Sequence, residues 1–174
     1  QQGQAGQRMV AVVLQRKGQK GKFYRPATPG DEEVYRQAEQ ALQAKREKLM
    51  LEWGLDPVPD EPVLKTPSNT MGGTNRVLNY GVVTWGDLFN TRQLLALISF
   101  TDKVRQAHAL MLVDRMELEF ANAVAMYLAL AVSRCADFES SLVRWFNHVE
   151  NAGNTFARQA LSMTWDYLEL NLLS

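Results

Sequence analysis

This chain of 174 residues has two hydrophobic patterns, one near its N-terminus and one in its second half, and each predicts a different kind of element. Met9–Gln15 is rich in β-branched residues, and a turn with two glycines separates it from Lys22–Arg25, which is typical of a β-hairpin. From Asp87 to Ala152 there are 66 residues without glycine or proline, with apolar residues at helical spacing. The expected fold class is therefore mainly α: a helical bundle-like domain with an N-terminal β-hairpin, α+β overall.

Capping residues set the expected helix boundaries. Asp31 is a candidate N-cap for the first helix, Thr84 and Asp87 have the spacing of a capping box, and Thr91 offers a second N-cap. Asn154 is a candidate cap for a last short helix. The helices are predicted at about 31–52, 91–112, 115–137, 138–147 and 155–166.

Composition shifts divide the chain into three parts. Residues 1–54 are expected to form a basic hairpin and an exposed helix, and residues 79–174 a helical domain. Between them, residues 55–78 hold four prolines and a glycine pair and are interpreted as a linker.

The most apolar run, Ala123–Val132, and the cysteine content indicate whether the chain spans a membrane and which cellular compartment suits it. The run has ten residues, too few to span a bilayer, and predicts a buried helix with no membrane partner. The single cysteine, Cys135, excludes an internal disulfide, which suits a cytoplasmic protein.

Charge is balanced overall but not along the chain. Residues 1–50 carry ten Lys/Arg and five Asp/Glu, whereas residues 51–174 carry nine and fourteen. A basic hairpin tip can bind phosphate whatever the total charge. The alternative is a solvated hairpin that is charged for solubility. The candidate nucleic-acid-binding residues here are Lys17, Lys20, Lys22 and Arg25.

A second candidate set lies near the C-terminus. Arg158 and Gln159 are suited to phosphate and base-edge contacts, and Trp165 to stacking on a base. The alternative is an amphipathic helix that places Phe156, Leu161 and Trp165 in a core.

No catalytic or cofactor motif can be assembled from the sequence. No G-x-G-x-x-G, P-loop or G-x-S-x-G motif occurs. Cys135 is expected to be structural, and His108 and His148 have no partner at a fixed spacing. We therefore expect no catalytic, cofactor-binding or metal-binding residue in this chain.

Four blocks carry a resemblance to the large adenine-specific DNA methylases that have an N-terminal domain of unknown function and a central zinc ribbon. The blocks follow the family's order and span most of the chain. The chain differs from the family pattern at Ser162 and Leu172, where the family has proline. The blocks are Gly6–Pro26, Asn79–Phe100, Ala125–Trp145 and Asn154–Asn171.

The resemblance implies that this chain is the segment between the zinc ribbon and the Asp-Pro-Pro-Tyr motif, a helical insertion in the catalytic fold. In the family, the glycine-rich cofactor motif comes earlier and Asp-Pro-Pro-Tyr later. Here the one Asp-Pro pair, Asp56-Pro57, continues as Val-Pro. S-adenosylmethionine is then a cofactor of the parent enzyme only, and the partners are DNA and the remainder of the methyltransferase chain.

Three functions remain open on the sequence alone. The segment either positions DNA or supports the catalytic domain of an N6-adenine methyltransferase, or it is a helical module that docks partner subunits. A stand-alone enzyme is the third reading, with no residue set to support it.

Overall fold

The structure is a computed structural model that describes residues 6–65, 75–158 and 160–172. Three long helices and two pairs of short antiparallel strands are its regular elements, so the expected mainly-α fold with an N-terminal β-hairpin is confirmed. In chain order they are β1 (Ala11–Leu14), β2 (Phe23–Pro26), α1 (Pro29–Trp53), α2 (Thr91–Val113), α3 (Leu118–Phe138), β3 (Trp145–Phe146) and β4 (Asn151–Ala152). Two 3-10 turns, Arg76–Tyr80 and Gly86–Leu88, precede α2.

The predicted β-hairpin forms from β1 and β2. Val13 pairs with Tyr24 and Val12 with Arg25. Gly18 and Gly21 have φ angles of 80° and 89°, a region that side chains with a Cβ rarely adopt. The two glycines therefore let the basic tip turn back on itself.

Local polar side chains start α1 and α2, though one or more residues away from the predicted caps. Thr28 is the N-cap of α1, and Asp31, in its first turn, accepts from the Thr28 backbone N–H at 2.8 Å. Asn90 rather than Thr91 caps α2: its Oδ1 accepts from Gln93 N at 3.0 Å, and Gln93 Oε1 accepts from Asn90 N at 2.9 Å. This reciprocal pair satisfies two backbone donors at the helix start.

The two predicted helices after α3 are wrong. Residues 139–147 and the described part of 155–166 form turns and extended segments because their polar groups bond to distant backbone. Ser141 N donates to Leu88 O at 2.7 Å, and Thr155 N donates to Asp137 O at 2.8 Å. Leu168 N donates to Val143 O at 2.9 Å. These long-range bonds replace the i to i−4 bonds of a helix.

The main hydrophobic cluster lies outside the long helices, in a part we call the base: residues 58–65, 75–90, 139–158 and 160–168. Val63 and Val77, from the segment interpreted as a linker, belong to this cluster. So the stretch on both sides of residues 66–74 is packed structure. The buried members of the cluster are Val63, Val77, Val82, Leu88, Leu142 and Leu161.

The helices pack as a layer with α2 between α1 and α3. Lys45 Nζ of α1 donates to Asp102 Oδ2 of α2 at 2.8 Å, and His108 Nε2 of α2 lies 2.8 Å from Asn122 Oδ1 of α3. The expectation that Ala123–Val132 is buried is wrong for this chain: Tyr127 is 75% exposed and Leu130 is 60% exposed. The side of α3 that points away from α2 has nothing packed on it among the described residues.

One helix in the described part of the chain, Leu118–Phe138, is long and apolar enough to cross a membrane by length and composition. Its run without charged residues, 120–133, has 14 residues and a length of about 21 Å at 1.5 Å per residue. A bilayer's hydrocarbon core is about 30 Å thick. One weakly apolar helix of this kind is consistent with a soluble protein.

Candidate nucleic-acid interface

The tip of the β1–β2 hairpin, residues 16–22, presents four basic side chains and no acidic one. Arg16 stacks on Phe23, with its guanidinium carbon 4.6 Å from the ring centroid, and Lys22 Nζ donates to Gln15 Oε1 at 3.0 Å. Lys17 and Lys20 are exposed. None of the four forms an ion pair with a carboxylate in the described part of the chain. The tip therefore carries net positive charge into solvent.

Arg25, the fourth predicted residue of this set, has a different position. It makes two hydrogen bonds to the Asp31 carboxylate, at 2.7 and 2.8 Å. These bonds, with those from Thr28, hold the pKa of Asp31 well below its usual range. Arg25 thus joins the hairpin to the start of α1, and its charge is neutralised.

A second hairpin lies beside the first. Tyr24 of β2 meets Trp145 of β3 edge to face, with ring centroids 6.5 Å apart. Next to Trp145 in the chain is Arg144, which is exposed and forms no ion pair among the described residues. On the same hairpin the ring centroids of Phe146 and His148 are 6.0 Å apart. Sequence reasoning missed these residues because β3 and β4 have only two residues each.

The predicted C-terminal set is not held together as expected. In the described part of residues 155–166 no helix aligns Arg158 with Trp165, and Gln159 lies outside the described residues. Arg158 is exposed. Trp165 is 73% exposed and contacts Tyr80 edge to face at 5.3 Å. Of the three residues expected in a core under the alternative, Leu161 is buried, whereas Phe156 and Trp165 are exposed.

A buried polar cluster lies where α2 begins. Asn90 Nδ2 donates to Glu169 Oε2 at 2.7 Å and to the Tyr167 hydroxyl at 2.9 Å, and Arg92 Nε donates to Glu169 Oε1 at 2.6 Å. Glu139 is 1% exposed, and its Oε1 has no hydrogen-bond partner among the described residues. The members come from three distant segments, so spacing along the chain gives no sign of the cluster.

Burial dominates the electrostatics of this cluster. It raises the pKa of Glu139 to about 8, with a further contribution from the negative charge of Glu169. Burial likewise raises the pKa of Tyr167. Glu139 is therefore mostly protonated at neutral pH. Acid–base catalysis needs a group that substrate can reach. Because Glu139 is closed off from solvent, we interpret it as a structural acid.

Metal ligands and the single thiol are the remaining candidates for chemistry. In the described ranges no three His, Cys, Asp or Glu side chains form a group that could hold a metal ion. Cys135 is partly buried on α3.

Comparisons with protein-family models, with curated proteins and with solved structures found no match. The resemblance to adenine-specific DNA methylases stays a prediction.

Proposed function

We propose that this chain is a DNA-positioning segment of a cytoplasmic adenine-specific (N6) DNA methyltransferase. In this proposal the S-adenosylmethionine site and the catalytic motif lie in other parts of the parent enzyme. The basic tip contacts the phosphate backbone, and the remainder of the methyltransferase chain is the second partner. The four resembling blocks support the parent class.

The observation that carries the DNA contact is the tip itself. Arg16, Lys17, Lys20 and Lys22 lie within seven residues, without an acidic neighbour in that stretch and without an ion pair among the described residues. Phosphate contacts by Lys and Arg release condensed counterions and supply most of non-specific DNA affinity. Such contacts position a duplex without reading its sequence.

Exposed aromatic side chains elsewhere in the described residues give the proposal a second component. Trp165 and Tyr80 are both exposed, and Phe146 is exposed on the second hairpin. Exposed aromatic rings can stack on unpaired bases, and methyltransferases that act on a base take it out of the duplex. Arg158 and Gln159 remain proposed phosphate and base-edge donors.

The test compares two variants with the same change in net charge. Lys17→Ala/Lys20→Ala removes two unpaired tip charges, and Lys48→Ala/Lys103→Ala removes two lysines from α1 and α2. Affinity for a fluorescent duplex is measured by anisotropy at several salt concentrations. We expect the tip variant to bind more weakly, with a salt slope lower by about 0.9 for each phosphate that it no longer neutralises. Equal affinity of the two variants would refute the DNA role of the tip.

A second candidate function is a helical module that docks protein partners. The exposed apolar side chains of α3 favour it, because a contiguous exposed apolar patch marks an interaction surface. Its test is whether association depends on those side chains, measured by sedimentation of variants altered on α3.

A further inference from the structure

α3 has a second apolar face on the side opposite α2. Counting about 100° per residue, Glu119, Ala123, Tyr127, Leu130 and Arg134 fall within one sector of about 80°. All five are exposed. Ala121, which is fully buried, lies on the opposite side. We call these five residues, with the flanking Phe120 and Met126, the outer stripe.

The charges at the ends of the outer stripe indicate what covers it. Glu119 lies at one end and Arg134 at the other, and the positions between them are apolar. If two copies of α3 pair in opposite directions about a two-fold axis, Glu119 of each copy faces Arg134 of the other. In a parallel pair each charge would face its like, which is destabilising.

The same two-fold arrangement matches the sizes of the apolar side chains. With Glu119 opposite Arg134, Ala123 falls opposite Leu130, a small residue opposite a large one, which lets helices approach closely and interdigitate. At the centre Met126, a flexible side chain, falls opposite Tyr127. A single surface patch that complements itself is what a two-fold homodimer interface requires.

Arg134 is available for this contact. One of its terminal nitrogens donates to Asp137 at 2.5 Å, and its guanidinium carbon lies 4.4 Å from the Phe138 ring centroid. Its side chain is nevertheless 61% exposed, and a guanidinium has five N–H donors. The intrachain contacts therefore hold the side chain in place and offset part of its charge, and they leave N–H donors for a partner carboxylate.

We propose that the outer stripe of α3 is a homodimer interface, formed by antiparallel pairing with α3 of a second copy. A lipid bilayer fits less well, because the uncharged run 120–133 is about 9 Å shorter than the hydrocarbon core of a bilayer, and a charged residue lies at each end of the run. The inference is independent of DNA binding, since none of the tip residues lies in the stripe.

The experiment uses charge reversal and mixing of the 174-residue chain, with association measured by sedimentation velocity over a range of concentrations. Glu119→Arg and Arg134→Glu each place like charges opposite one another in a homodimer. We expect each variant alone to raise the dimer Kd by at least about tenfold. A 1:1 mixture of the two restores both opposite-charge pairs, so we expect a heterodimer with a Kd within about threefold of the unaltered dimer.

A matched apolar pair accompanies this test. Leu130→Ser removes a stripe residue, and Leu118→Ser makes the same change at an exposed position outside the stripe. Circular dichroism confirms that each variant is folded. We expect Leu130→Ser, and not Leu118→Ser, to weaken the dimer.

Three outcomes overturn the proposal. The first is a chain that stays monomeric at all concentrations. The second is dimerisation that the charge-reversal variants leave unchanged. The third is flotation with phosphatidylcholine vesicles that Leu130→Ser abolishes, since this would assign the stripe to lipid.

Discussion

The base and α3 use their apolar side chains in opposite ways. In the base, short irregular segments enclose Val77 and Leu88 completely, whereas α3, a regular helix of 21 residues, leaves most of its apolar surface exposed. Regular secondary structure and burial are thus separated at α3. Irregular backbone encloses the main hydrophobic cluster and α3 presents an apolar surface, whereas α1 and α2 bury Leu49 and Ile98.

The largest effect expected from this contrast is on folding stability. Leu88→Ala removes a fully buried side chain and is expected to lower the free energy of unfolding by about 2–5 kcal/mol. Leu130→Ala makes the same change at a position that is 60% exposed, with an expected loss below about 0.5 kcal/mol in the monomer. Urea unfolding at a dilution where the chain is monomeric measures both. Similar losses of unfolding free energy at the two positions would show that Leu88 and Leu130 do not differ in their contribution to folding.

An effect with a similar upper limit, but spread over several pH units, is expected from the buried acid of the base. Glu139 has its pKa raised from 4.5 to about 8 in the folded state, so unfolding releases a proton between these values. The free energy of unfolding should therefore fall as pH rises from about 4.5 to about 8, by at most about 1.4 kcal/mol per pH unit, and then level off.

Glu139→Gln is the matched variant, because it keeps the shape and cannot ionise. We expect it to lose this pH dependence and to exceed the unaltered chain in stability above about pH 8. Urea unfolding on the acid side, at neutral pH and on the alkaline side of that range is the measurement. Parallel pH profiles for the two proteins would show that Glu139 is not the titrating group.

The smallest effect is expected at the N-terminal hairpin. There Arg25 is neutralised by an ion pair, whereas the lysines of the tip form no ion pair among the described residues. Arg25 is bound to Asp31 by two hydrogen bonds, so its charge contributes little to the field of the tip. We expect Arg25→Gln to weaken duplex binding less than Lys17→Ala does, and to lower the melting temperature slightly because surface ion pairs contribute little. Anisotropy and thermal unfolding check the two expectations. A larger affinity decrease for Arg25→Gln would place that residue in the interface after all.

Local patterns predicted the regular elements well. The hairpin followed from its glycine turn and β-branched strands, and all three long helices formed within a few residues of the predicted limits. The failures share one cause. Residues 139–147 and the described part of 155–166 are shaped by bonds such as those from Ser141 to Leu88 and from Thr155 to Asp137, whose partners are distant in the sequence.

Burial was predictable only in part, for a related reason. Helical periodicity identified α3 as apolar, but α3 has apolar residues on two opposite sides, and periodicity does not say which side a partner covers. The candidate site shows the same limit. The composition of the tip predicted its charge, whereas the pairing of Arg25 with Asp31 and the cluster around Glu139 depend on tertiary contacts.

The hydrogen bond from Ser141 N to Leu88 O has a consequence for how this chain can vary. It joins the residues just before α2 and just after α3, at a distance of 2.7 Å, so the helical hairpin leaves the base and returns to it at nearly one point. Segments whose two ends meet are the ones in which insertions, deletions and whole-unit exchanges are tolerated. The free end of the α2–α3 hairpin can therefore be lengthened, shortened or replaced while the base keeps its packing.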